Sequence, residues 1–307
     1  MTDTKPELAL ERFAAQREFL VALDSDGTVF DTMTIKHREC LAPCMIECFG
    51  LEPVAQAACE CMDFAGLFSK TRGANRHRNL RRILGELLPS HPLVVSSGFD
   101  VPQLPHYFAW VDDPDNVLSG QGLQRTLASA TGAARRELEL AAAWNDRVNE
   151  CNERKTGGIP PFAFVRECIE RMHDRADLIV VSTAPCRTLA REWNAYGLAR
   201  YAAVIAGQEM GEKARCIETA ARGRYNENCV LVIGDSPGDL KAAKANDALF
   251  YPIDPGDEEA SWERFHNEAM DRFFAGDYAG EYEAALIAEF DSRLPEKPAW
   301  VQGVLSS

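Results

Sequence analysis

No apolar run in this 307-residue chain approaches the length that crosses a bilayer. Its start, MTDTKPELALERF, lacks the basic-then-apolar layout of a secretory signal. The expectation is a cytoplasmic protein with no membrane partner. Basic charge is scarce as well: 33 Lys and Arg against 47 Asp and Glu leave a formal net charge of −14. That balance argues against a nucleic-acid backbone or an anionic membrane as a partner. Internal repeats and low-complexity tracts are absent. The 10 cysteines include no C-x-x-C pair and no matching histidine spacing, which speaks against a structural metal. Cys40, Cys44 and Cys48 fall four apart on one helical face, with Cys59 and Cys61 following. The expectation is reduced thiols packed as small apolar residues.

What is present is a change of texture along the chain. EFLVALD (18–24) reads as a short buried strand. From Thr32 to about Asn152 the spacing is helical, over 33–49, 52–67, 75–88 and 132–151, with Gly50 suited to a helix stop. TGGIPP (156–161) punctuates, its prolines placed where a helix begins. Beyond it, helices 162–173, 186–196, 212–222 and 237–245 alternate with apolar strands 177–182, 202–207, 229–235 and 248–253. Such alternation predicts a parallel sheet covered on both faces. The fold class is therefore α/β, a doubly wound, Rossmann-like core (1–31 and 158–307) interrupted by an α-helical domain (32–157). LVVSSGFD (93–100) also ends an apolar run in serines, but lacks the flanking helices of the 177–182 strand and is expected to be a structured turn.

Ligands of doubly wound sheets bind beyond the carboxyl ends of the strands. There the polar residues are Asp24 and Asp26 after one strand, Ser182 and Thr183 after another, and Asp235 and Asp239 after a third. Like charges so crowded call for a cation. Acidic and hydroxyl groups converging on one edge suit a hard ion such as Mg²⁺, which keeps waters for a phosphate to displace. Lys213, opening a helix at the same edge, balances the carboxylates or holds an anion.

The ordered set Asp24-x-Asp26-Gly27-Thr28, Ser182, Lys213 and Gly234-Asp235-x-x-x-Asp239 resembles the four motifs of the haloacid dehalogenase-like hydrolases. It covers the core alone, roughly 18–31 and 162–253. The resemblance implies an aspartyl-phosphate on Asp24 as nucleophile, with Asp26 as general acid and then base. It implies Mg²⁺ held by the Asp24 side chain, the Asp26 carbonyl and Asp235, with Asp239 in support. Ser182 would hold a phosphoryl oxygen and Lys213 would neutralise charge beside Asp24. An acid at position 26 favours transfer to or from oxygen over cleavage of a carbon–halogen bond. The expected activity is hydrolysis of a small phosphorylated metabolite. A phosphomutase or phosphotransferase is the alternative, and a non-catalytic regulator on the same scaffold the third.

In that family an insert at 32–157 is a cap. Its basic run SKTRGANRHRNLRR (69–82) stands out in an acidic chain. One reading is a solvated helix face paired with acids. The other is that Arg72, Asn75 and Arg76, at a loop-to-helix start, meet the remote end of the substrate as the cap closes on its two crossings. Acids in 254–280 are expected to begin a C-terminal helix.

Overall fold

The computed structural model describes residues 10–302, so the opening MTDTKPELA segment lies outside the described residues. In chain order, β1 (Phe19–Leu23) is followed by a helical turn, Thr32–Ile35, and a π-helical stretch, Lys36–Leu41. Then come α1 (Ala42–Phe49), α2 (Ala55–Gly66), α3 (Arg76–Arg82), α4 (Pro92–Ser97) and α5 (Pro105–Asp112). α6 (Gly120–Leu127) and the long α7 (Gly132–Lys155) complete the insert. The alternating part runs α8 (Val165–His173), β2 (Ala176–Val181), α9 (Cys186–Ala195) and β3 (Ala202–Ala206). It continues with α10 (Lys213–Ala221), β4 (Val230–Gly234), α11 (Pro237–Lys244) and β5 (Leu249–Pro252). The chain ends with α12 (Glu258–Arg264), α13 (Met270–Ala275), α14 (Glu281–Ser292) and α15 (Ala299–Gln302). No helix among the described residues is long and apolar enough to cross a membrane.

The chain divides into two compact units. Unit 1 comprises Met1–Met33 and Gly158–Arg293; unit 2 comprises Thr34–Gly157 and Leu294–Ser307. In unit 1 the five strands form one parallel sheet in the order β3-β2-β1-β4-β5, as the alternation predicted. Every residue of β1, β2, β4 and β5 is buried, which is why these strands read as apolar runs rather than as alternation. After β1 the chain fills one side of it with β2 and β3, then returns to the other side with β4 and β5. β1 is therefore the switch point, the position beyond whose carboxyl end ligands of doubly wound sheets bind. The register carries the ladder into the site: Leu23 pairs with Ile233 and Val180, and the Asp24 amide donates to the Ile233 carbonyl at 3.0 Å. Glu258 and Glu259 do fall in the first turn of α12, as expected of acids beginning a helix.

Unit 2 packs its helices around Trp144, Tyr107, Leu80 and Met45. Three expectations change here. Cys40 and Cys151 are joined in a disulfide, with Cα atoms 5.6 Å apart, so the reading of all ten as thiols is corrected. The π-helical stretch that begins the insert lies along the end of α7, an adjacency across 111 residues that no local spacing reveals. LVVSSGFD is not a turn: Pro92 opens the short α4, and Gly98 closes it at φ +67°. The segment from Leu294, expected with the core, belongs to unit 2, where the Trp300 ring lies edge-on to Phe64 at 5.8 Å and 4.7 Å from His91.

Candidate active site at the strand tips of unit 1

The loop after β1 is wound tightly. The Ser25 carbonyl accepts from the amides of Thr28, Val29 and Phe30, and the Gly27 amide donates to Phe30. Gly27 sits at φ +77°, a conformation that a side chain would strain. On the neighbouring strand, Gly234 leaves space that only hydrogen can leave: a Cβ there would lie 2.4 Å from the Asp239 carboxyl carbon. Asp239 thus folds back against the end of β4. Its Oδ2 accepts from the Ser236 amide at 3.1 Å and the Ser236 hydroxyl at 2.6 Å, a reciprocal capping box that starts α11.

These turns bring Asp24, Asp235 and Asp239 together, with one carboxylate oxygen from each within 4.8 Å of the others and all three buried. Lys213 stands among them, its Nζ 2.9 Å from Asp24 Oδ2 and 2.6 Å from Asp239 Oδ1. Thr28 Oγ1 donates to Asp235 Oδ1 at 2.8 Å. Burial, opposed by Lys213 but reinforced by Asp239 and Asp235, holds the Asp24 carboxyl well above the usual carboxylate range. Burial presses Lys213 down, but the Asp239 and Asp24 carboxylates outweigh it and hold the ammonium above its ordinary value. One lysine does not balance three carboxylates, and Asp24 Oδ1 is buried without a hydrogen-bond partner. Hard oxygen donors, excess negative charge and an orphaned carboxylate oxygen fit a divalent cation such as Mg²⁺.

The Asp26 carboxylate lies outside that trio. It is half-buried and accepts from the Thr32 hydroxyl. Ser182, buried, continues β2 by donating its amide to Ala206, and its Oγ accepts from the Ala184 amide. Thr183 is exposed. In unit 2, Arg72 is buried and donates to the Leu67 carbonyl at 3.0 Å. Asn75 caps α3 by accepting from the His77 amide and donates to Leu118. Arg76 reaches Asn149 at 2.7 Å. Elsewhere in the basic run, Arg81 pairs with Asp112 and Glu86, and Arg82 lies 5.2 Å over the Phe64 ring.

Two supports of the loop were not apparent in the sequence. Trp193 of α9 donates its indole N–H to Ser25 Oγ at 3.0 Å, and Trp262 of α12 donates to the Thr28 carbonyl at 2.7 Å. Nothing in the spacing ties either tryptophan to residues so far upstream. The Ser236–Asp239 cap was within reach, since S-x-x-D after a strand is a helix-start signature.

No protein-family model matches the chain, and no curated protein matches it. Among solved structures, similarity extends to a predicted phosphoglycolate phosphatase from Haemophilus somnus 129PT, at 13% identity over 78% of this chain and 88% of that one, with a TM-score of 0.47. An archaeal β-phosphoglucomutase from Pyrococcus sp. strain ST 04 aligns at 17% identity over 83% and 98%, TM-score 0.49. A haloacid dehalogenase-like family hydrolase from Streptococcus pneumoniae aligns at 12% over 81% and 91%, TM-score 0.40.

Proposed function

We propose that this chain is a Mg²⁺-dependent phosphatase of the haloacid dehalogenase-like type, acting on a small phosphorylated metabolite through an aspartyl-phosphate. The observation that carries the reading is the buried trio Asp24, Asp235 and Asp239 around Lys213 at the switch point of a doubly wound sheet. Asp24 forms the new oxygen–phosphorus bond as the ester oxygen–phosphorus bond breaks. Its Oδ1 is the oxygen left without a partner, while Oδ2 is held by Lys213. Asp26 gives a proton to the departing alkoxide, then takes one from the water that hydrolyses the intermediate and regenerates Asp24. Thr32, donating to Asp26, fixes that carboxyl for both transfers. Ser182, at the adjoining strand tip, is the hydroxyl donor for a phosphoryl oxygen, with Thr183 next to it. Asp24, Asp235 and the Asp26 carbonyl, with Asp239 in support, would hold Mg²⁺, which would supply screening of the nucleophile from an anionic phosphoryl group.

The test is a screen of phosphorylated metabolites with Mg²⁺, wild type beside Asp24→Asn. Turnover of at least one ester by the wild type and none by Asp24→Asn is expected, since an amide is no nucleophile. No turnover of any ester would revive a non-catalytic role. Product that appears only with an added hydroxyl acceptor would assign a phosphotransferase or mutase instead.

A further inference from the structure

Unit 2 carries a groove of about 560 Å³ that includes none of the acids described above. Its walls are the first turns of α6 (Gly120, Gln121, Gln124 and Arg125) and the middle of α7 (Asn145 and Asn149). Behind them Arg76 donates through Nη1 to Asn149 Oδ1 at 2.7 Å and to Asn145 Oδ1 at 3.4 Å. A guanidinium has no acceptor, so it can meet these amides only through their oxygens, which leaves their NH₂ groups as the free ends. Arg76 thus sets two wall residues as donors. Asn145, 5% exposed, is admitted by Gly120, whose Cβ would stand 3.1 Å from Asn145 Nδ2. That Nδ2 has only a long contact, 3.4 Å, to Asp146 Oδ1.

Charge points the same way. Arg76 has amide oxygens for partners, and burial alone pushes its guanidinium below the ordinary range, with no carboxylate opposing. Arg125, exposed on the groove wall, has no carboxylate partner among the described residues. Asp146 adds an acceptor at the rim. Amides that donate, a guanidinium without a counterion and one carboxylate acceptor match a ring of hydroxyls attached to an anionic group.

We propose that this groove is a binding site for a small polyhydroxylated anion, a sugar phosphate or sugar acid. Its hydroxyls meet the amides of Gln121, Gln124, Asn145 and Asn149 and the Asp146 carboxylate, and its anionic group meets Arg125. The site is read from unit 2 alone and does not depend on the phosphoryl-transfer reading of unit 1. Its test is binding, not turnover.

The full chain carrying Asp24→Asn, so that no ester is consumed, is titrated calorimetrically with glucose 6-phosphate, gluconate and neutral glucose. Phenyl phosphate, which has no hydroxyl ring, serves as a control. Saturable binding of glucose 6-phosphate or gluconate, weaker binding of glucose, and a loss of roughly tenfold in affinity on adding Asn149→Ala or Arg125→Ala are expected, about the worth of one net hydrogen-bonded contact. Both residues are exposed, and circular dichroism checks that each variant keeps the fold. Which of the two anions binds tells phosphate from carboxylate. Affinities unchanged in both variants, or no saturable binding of either anion, overturn the site. Glucose bound as tightly as the anions overturns its anionic part, and a loss on Asn149→Ala as large for phenyl phosphate as for the sugar anion overturns the role of the amides.

Discussion

Burying a carboxylate costs several kcal/mol unless a partner compensates, and unit 1 buries three around a single ammonium. That imbalance is what the proposed divalent cation would relieve. A different residue of unit 2 carries a cleaner electrostatic signal. His77, 1% exposed, bonds Tyr107 through Nδ1 at 2.9 Å and leaves Nε2 orphaned among aromatic rings. Burial, helped by the Arg76 charge, lowers it from its ordinary 6.5 to about 4. The unfolded chain then takes up a proton below pH 6.5 that the folded chain refuses until about pH 4. Stability is full above 6.5 and is lost as pH falls between the two, by about 3 kcal/mol in all. Denaturant melts at pH 7 and pH 5 should show wild type losing more than His77→Gln. Equal losses would remove His77 from the pH dependence.

At the scale of elements, the two indole donors hold the β1 loop from outside. Trp193→Phe keeps most of the buried volume but frees Ser25, and the loop carrying Asp24 and Asp26 gains play. Since small misplacements cost rate more than affinity, kcat should fall about tenfold with KM little changed. A rise in KM alone would contradict a positioning role. The disulfide links the first segment of the insert to the last turns of α7, closing a loop of 111 residues. Chain entropy makes such a bridge worth about 4–5 kcal/mol. Cys40→Ser should lower the stability of unit 2 by a few kcal/mol, and two of the 10 cysteines should stay unreactive in denaturant until reductant is added. Ten reactive thiols without reductant would contradict the bridge. The strands and their order round β1 were legible because a sheet buried on both faces writes itself as apolar runs ended by polar residues. The acids of the site were legible for the same reason, as charges abutting those runs. The bridge, the tryptophan supports and the packing of Trp300 in unit 2 were not, because each joins residues distant in sequence through side chains that look like ordinary core. The helix at Pro92–Ser97 had its signals, a proline at the start and a glycine just past the end, but was too short for a period to emerge.

Across the whole molecule, the proposed chemistry and the proposed recognition fall on separate units, between which the chain passes after Met33, Gly157 and Arg293. Unit 1 gathers the acids, the lysine and the loop of the proposed reaction; the groove of unit 2 offers amides and the exposed Arg125, suited to hydroxyls and an anion. The central claim, phosphoryl transfer through Asp24, is tested most directly in Asp26→Asn. Loss of the acid–base group should slow turnover by about 10²–10⁴ and, by leaving the attacking water without its base, let the intermediate accumulate. The variant is mixed with an aryl phosphate and Mg²⁺, quenched in acid, reduced with borohydride and mapped by mass spectrometry. The account predicts a reduced residue, homoserine, at position 24 and none there when Asp24 is also replaced by Asn. An unmodified position 24 beside measurable turnover, or the reduced residue elsewhere in the chain, would contradict it.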